Sequence, residues 1–214
     1  MSEEIERIDG NEPKEITEMF IFPYNFFKSN NFIESKYFSI VDVGCGNGSG
    51  TKILGCIGID KYLPEKPDFP CLKKDVSIKN SFNYLGRFDL AISFQVIEHI
   101  DSFRLENYIN NIKSLSSSYI MSTVNKNMYP FIGDVEVYLG IKNEFHLNEF
   151  SELDFYKLGK YFKQCFFFSQ VKTNKGYKMV PGLFSNAVNF YILGTDDPEN
   201  DTYKRIIDMV KGDM

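Results

Sequence analysis

VDVGCGNGSG, residues 41–50, sets glycine at every second position directly behind a short apolar run. Glycine accepts positive φ and carries no Cβ, so such a string lets the backbone turn tightly and lets a ligand come up against the main chain. The run before it, SIVDV (39–43), reads as a first strand, and SGTKILG behind it as a short first helix. A dinucleotide fingerprint G-x-G-x-x-G is not met, because counting from Gly44 puts Ser49 where the third glycine belongs, and counting from Gly46 does not restore the phase. A phosphate loop is not met either, since no Gly-Lys-Ser/Thr follows. What remains is Asp42-x-Gly44-x-Gly46-x-Gly48.

Outward from this loop, short apolar runs alternate with polar or helical stretches, the pattern of a wound α/β sheet. CIGID (56–60), CLKKDV (71–76), FDLAISF (88–94) and SYIMSTV (118–124) read as strands two to five. Leu105, Tyr108, Ile109 and Ile112 recur at helical spacing and predict a crossover helix between the fourth and fifth strands. Ser151 and Asp154 are spaced as a capping box ahead of Phe155, Leu158 and Phe162. CFFFSQV (165–171) and NAVNFYILG (186–194) close a sheet of seven strands with helices on both faces.

The chain of 214 residues suits one domain, with 43% hydrophobic and 25% charged residues. Residues 1–37 read as an N-terminal docking or lid segment, 125–148 as an insertion covering the substrate, and 196–214 as a peripheral C-terminal tail. Connections longer than about 12–15 residues inside a compact domain are usually functional. The segment 125–145 carries Tyr129, Phe131, Tyr138 and Phe145, enough aromatic surface to cover a pocket or, equally, to pack as a hairpin. A net charge of −5 and the lack of a basic run speak against a nucleic-acid backbone as partner. The acidic start is no secretory signal and the patch around Met19–Phe27 is too short to cross a bilayer, so a cytoplasmic protein without membrane insertion is expected. Cys45, Cys56, Cys71 and Cys165 form no CxxC pair and show no metal-ligand spacing with His99 and His146, so free thiols and no metal are expected.

DVGCGNGSG resembles the first motif of the class I S-adenosylmethionine-dependent methyltransferases, and the resemblance continues in order along most of the chain. It implies a Rossmann-like seven-stranded methyltransferase sheet with S-adenosyl-L-methionine as cofactor. Asp42, Gly44, Cys45, Gly46 and Gly48 would form the floor of the cofactor site. Asp60, with Lys61 beside it, falls where the family keeps an acidic residue for the ribose hydroxyls, and a carboxylate accepts two hydrogen bonds from a vicinal diol. Asp75 and the Val76 backbone fall where the adenine is held, and Phe94 and Gln95 where the methionine end lies. KNEFHLNEFSELDF is similar to a His-x-x-Glu-Phe-Ser segment of the branch that modifies glycans and small molecules.

From that resemblance follow the expected chemistry and its candidates. The sulfonium methyl is already activated, so the protein mainly aligns an acceptor and excludes water. An acceptor hydroxyl needs a base titrating near neutrality, which makes His99 and His146 the catalytic candidates, each weighed against a purely orienting role. Glu98 reads as a structural cap. Arg7, Tyr24, Tyr129 and Tyr138 are candidate substrate contacts. The Asp/Asn-Pro-Pro-Tyr/Phe motif of nucleic-acid amino methylation is missing, and a small polar acceptor is expected, a sugar or phosphorylated amino alcohol destined for a surface polysaccharide, in a monomer or homodimer. Two rival readings stay open: a nicotinamide-dependent oxidoreductase, and a cofactor-binding partner of another methyltransferase that does not itself turn over.

Overall fold

The computed structural model describes residues 14–30, 38–127 and 146–212. Its centre is one mixed sheet. Four short parallel strands, β1 (Ile40–Val43), β2 (Ile57–Asp60), β3 (Cys71–Lys73) and β4 (Leu90–Phe94), are followed by β5 (Ser118–Val124). Then come β6 (Gln164–Thr173), β7 (Gly176–Pro181) and β8 (Asn189–Thr195). Their order across the sheet is β3-β2-β1-β4-β5-β8-β6-β7. The first five strands run parallel, with Val41 opposite Ile57 on one side and Ala91 on the other, whereas β8 runs antiparallel to both β5 and β6. β1, β4, β5 and β8 are buried along their whole length, which is why their sequences are mostly apolar with no strict alternation.

Among the described residues the sheet has eight strands, where the sequence patterns predict seven. The added one, β7, pairs antiparallel with β6 through a hairpin whose loop is Asn174–Lys175, with Gly176 at φ +114°. Turn residues ahead of the alternating stretch Gly176–Pro181 are the signal for it.

Helices cover both faces. α1 (Lys14–Ser29), the six-residue α2 (Ser49–Leu54) and α5 (Asp201–Gly212) share one face. There Tyr24, Phe27, Leu54, Phe94, Phe168, Tyr191, Tyr203, Ile206 and Val210 form one apolar cluster. α3 (Leu105–Leu115) and α4 (Glu152–Tyr156) cover the other face, where Tyr108, Ile109, Ile112 and Leu115 meet Phe155 and Phe190. α4 starts at the predicted capping box, the Ser151 hydroxyl accepting from the Asp154 N–H.

Both chain ends are built into this frame. α1 runs straight through Pro23. Proline lacks the N–H that the carbonyl four residues earlier would accept, and here that carbonyl, on Met19, accepts instead from Gln170 Nε2 of β6 at 3.0 Å. Gln170 Oε1 in turn accepts from Asn189 and from the Tyr191 hydroxyl at 2.9 and 2.7 Å, so the proline fixes where the helix docks. α5 is not peripheral as its composition implies. It buries Tyr203, Ile206 and Val210, and Asn200 caps it while accepting from Ser118 of β5.

Candidate active site

The glycine loop joins β1 to α2 at the carboxyl end of the sheet, where α/β folds take their ligands. Gly44, Gly46 and Gly48 all lie at positive φ, at 81°, 54° and 81°. The reasons differ. A Cβ on Gly48 would lie 2.1 Å from the Phe69 ring, so this glycine packs the loop down, whereas a Cβ on Gly46 would meet nothing within 4 Å. Gly46 is the place where the main chain faces open space.

The Asp60 carboxylate, at the end of β2, accepts from the Gly46 N–H at 2.8 Å and from the Tyr62 N–H at 2.7 Å. It therefore holds the loop in shape from both sides. Lys61 beside it approaches Asp75 Oδ2 at 3.8 Å and lies over the Tyr62 ring. Asp75 Oδ1 accepts from the backbone and hydroxyl of Ser77, and the Val76 carbonyl from Asn111 of α3. These four residues thus form one continuous rim beyond β2 and β3.

Four of the expected residues, Asp42, Tyr24, Phe94 and Cys45, are buried. Asp42 is fully buried, one oxygen accepting from Thr51 Oγ1 at 2.7 Å and the other from the Tyr24 hydroxyl at 3.4 Å. Burial raises its pKa to about 7, the two donors pulling the other way. The Tyr24 hydroxyl is engaged by Asp42 and its ring sits where a Cβ on Gly50 would collide at 2.1 Å, so the side chain ties α1 to α2. Phe94 packs among Tyr24, Phe27 and Tyr191 with ring centroids 5.1–6.1 Å away. Cys45 is buried against Gly58, and burial pushes its thiol up, which suits a small loop residue and not a nucleophile.

Beyond β4 the chain makes a 3-10 turn at Ile97–His99. Ligating atoms of Glu98, His99 and His146 all lie within 4.8 Å of one another, and the two imidazoles meet edge to face with centroids 5.0 Å apart. Glu98 is 1% exposed, and among the described residues its Oε2 has no hydrogen-bond partner. Burial raises its pKa, and the neighbouring histidines pull it back. An unpaired buried carboxylate oxygen is costly, by about 1–3 kcal/mol, and two imidazoles facing it make a donor set suited to a divalent cation. No ligand spacing was visible in the chain because His146 comes from a distant segment. Asn148 brings it in: its N–H donates to the Glu98 carbonyl at 2.9 Å, its Nδ2 donates to the Ile100 carbonyl, and its Oδ1 accepts from Ser102 at 2.6 Å.

Gln95, between β4 and that turn, stands at φ +59°, with its backbone N–H and Nε2 both on the Ser122 hydroxyl at 3.2 and 3.0 Å. Arg7, Tyr129 and Tyr138 lie outside the described residues. Glu98 and Asn148 are the site residues that sequence reasoning passed over, Glu98 as a mere cap. The Glu-His pair directly after a buried strand was the available signal for the first.

No protein-family profile matches the chain, and neither does any curated protein. Solved structures do match. The methyltransferase domain of the bacterial protein CtHen1-C is 18% identical, over 85% of this chain and 98% of that one, with a TM-score of 0.59. A SAM-dependent methyltransferase of Thermotoga maritima, described as a possible histamine N-methyltransferase, is 16% identical over 85% and 92%, with a TM-score of 0.58. The plantazolicin methyltransferase BpumL, solved with S-adenosylhomocysteine, is 14% identical over 88% of each chain, with a TM-score of 0.54. The fold is therefore that of the class I SAM-dependent methyltransferases. Among the described residues no helix is long and apolar enough to cross a membrane.

Proposed function

We propose that the protein is a SAM-dependent methyltransferase that methylates a hydroxyl of a small polar acceptor, with a divalent cation held by Glu98, His99 and His146. The single observation that carries the acceptor chemistry is the buried, unpartnered Glu98 oxygen facing two imidazoles. The fold likeness and the open main chain at Gly46 support the cofactor. When bound, S-adenosylmethionine supplies an activated methyl group, and a cation supplies Lewis acidity that lowers the pKa of an oxygen acceptor.

The residues of the chain do the remaining work. Gly46 admits the cofactor to the backbone, Asp60 receives its ribose hydroxyls, and Asp75 with the Val76 main chain borders the base. Glu98, His99 and His146 would hold the cation beyond the end of β4, where it would supply Lewis acidity to an acceptor oxygen. Neutral imidazoles are needed to ligate, which leaves neither histidine as a free general base while a cation is held. The catalytic role expected of His99 and His146 thus becomes a ligand role. A sugar or phosphorylated amino alcohol is the acceptor class we favour.

A second reading, an RNA acceptor, is favoured by one observation: the small RNA methyltransferase HEN1 is also among the similar structures, with a TM-score of 0.60 over 83% of this chain and 26% of that one. Calorimetric titration with S-adenosylmethionine, S-adenosylhomocysteine, NAD and NADP comes first. Binding of the first two alone is expected, and dinucleotide binding instead would end the methyltransferase reading. Release of S-adenosylhomocysteine is then followed with hydroxylated sugars, amino alcohols and short RNA, with and without a chelator. Turnover that ignores the chelator would remove the cation from the mechanism.

A further inference from the structure

We propose that Gln170 of β6 is a positioning residue for the active site: through Tyr191 and Ser122 it fixes the Gln95 amide and, with it, the turn that carries Glu98 and His99. The inference rests on reading the end of β4 as part of that site, and not on the cation. It starts at α1. Pro23 leaves the Met19 carbonyl without a helical donor, and Gln170 Nε2 supplies one at 3.0 Å. With its NH2 group committed there, Gln170 turns Oε1 to β8, where it accepts from Asn189 and from the Tyr191 hydroxyl. A phenol has one proton, so the Tyr191 oxygen is left to accept, and Ser122, opposite it in the β5–β8 register, hydrogen-bonds to it. The Ser122 hydroxyl is then left to accept in its turn, from the Gln95 N–H at 3.2 Å and from Gln95 Nε2 at 3.0 Å.

Every donor on this path runs one way, from Gln95 to Ser122, Tyr191, Gln170 and the Met19 carbonyl. Each choice forces the next, so a proline in α1 decides that Gln95 turns its NH2 group, and not its oxygen, to β5. Ser122, Gln170 and Tyr191 are each fully buried, where aligned hydrogen bonds strengthen one another. What they hold is a non-glycine residue at φ +59°, a conformation that persists only where the surroundings enforce it. Both neighbours of that residue along the turn belong to the site. Val96 fills the space that a Cβ on Gly44 of the glycine loop would need, 2.2 Å away, and the 3-10 turn Ile97–His99 follows directly. The docking of α1 and the geometry of the turn are therefore one unit, and unseating the helix releases Gln95.

The test is native-state hydrogen exchange and histidine NMR on the full chain, whose only two histidines, His99 and His146, both report on this site. Gln170→Leu, Tyr191→Phe and Ser122→Ala interrupt the path at three points. Ser122→Thr keeps the hydroxyl, and Ile206→Val loosens the same apolar cluster without touching the path. Exchange of the Gln95 N–H should be about fivefold faster in each interrupting variant, the factor that one net hydrogen bond carries, and close to the unaltered rate in Ser122→Thr. The His99 resonances should be displaced in the same three variants and stay in place in Ser122→Thr and Ile206→Val. If Gln170→Leu and Tyr191→Phe change neither readout beyond Ile206→Val, the path carries nothing and the proposal is overturned. If exchange rises while the His99 resonances stay in place, Gln170 only stabilises the fold and its positioning role is overturned. Tyr191→Phe loses one hydroxyl and keeps its ring stacked on Phe168, so it keeps the test decisive should Gln170→Leu fail to fold. Calorimetry of the unaltered protein with S-adenosylhomocysteine tells the two failures apart: absence of binding ends the methyltransferase reading, while exchange and histidine resonances still decide whether the path reaches the turn.

Discussion

The two halves of the sheet's carboxyl edge are built in different ways. The half beyond β1, β2 and β3 is assembled from consecutive short segments: the glycine loop, the end of β2 with Asp60 and Lys61, and the end of β3 with Asp75 and Val76. Its polar groups are satisfied by near neighbours, as when Asp60 accepts from Gly46 and Tyr62. The half beyond β4 joins the turn at Glu98–His99 to His146 from far along the chain, and it leaves buried oxygens on Gln95 and Glu98 unpaired. One half is a finished cradle, the other an incomplete coordination shell. The difference predicts that cofactor binding and chemistry come apart under mutation.

The largest effect is expected from His146→Ala. Removing a ligand should lower turnover about 10³-fold, roughly 4 kcal/mol of barrier, while affinity for S-adenosylhomocysteine changes less than twofold. Steady-state kinetics paired with calorimetry reads both numbers. An equal loss in both would merge the two halves into one unit and dissolve the comparison.

The same division explains what could be read from the chain alone. Strands β1 to β5 were legible because each is a short apolar run bounded by turns, and α4 because its capping box lies within four residues. Periodicity also locates Asp60, the last residue of β2, and Asp75, two residues past β3. Three things were not. β7 was missed because an edge strand with one of its six residues buried carries little apolar signal. The docking of α1 through Pro23 and Gln170 has no local signal, because that arrangement spans the chain. The Glu98–His99–His146 cluster was hidden because ligand spacing works only within a segment, and Asn148, which ties the two segments together, is an ordinary loop asparagine until the fold is seen.

Beneath the cradle, Asp42 offers the next largest effect, this time on stability. Its ordinary carboxylate value of 3.8 is raised to about 7 by burial between β1, α1 and α2. Between those two pH values the folded chain holds a proton that the unfolded chain has released, so stability is greatest at the acid end of the window and falls as pH rises through it. The upper bound is about 4 kcal/mol for a shift of this size. Glu98 shifts in the same direction, so the slope of the unaltered protein contains both groups. Asp42→Asn removes only one of them: urea unfolding at pH 5 and pH 8 should show a loss for the unaltered protein that is at least halved in the variant. A variant that loses stability just as steeply would mean that Asp42 is charged throughout, held so by Thr51 and Tyr24.

The smallest effect probes the cradle itself. Asp60→Ala removes a carboxylate that serves two masters, the backbone N–H groups of Gly46 and Tyr62 on one side and the expected ribose diol on the other. Each unmatched donor costs of order 1 kcal/mol, so cofactor affinity should fall about ten- to thirtyfold, with a lowering of Tm of a few degrees from the loosened loop. Asp60→Asn separates the two contributions, because an amide oxygen can still accept one backbone bond but its NH2 faces a second donor. If the diol provides most of the loss, Asn should resemble Ala in affinity and the unaltered protein in Tm. If Asn restores affinity but not Tm, Asp60 acts on the cofactor only by shaping the glycine loop, and the ribose is held by another group.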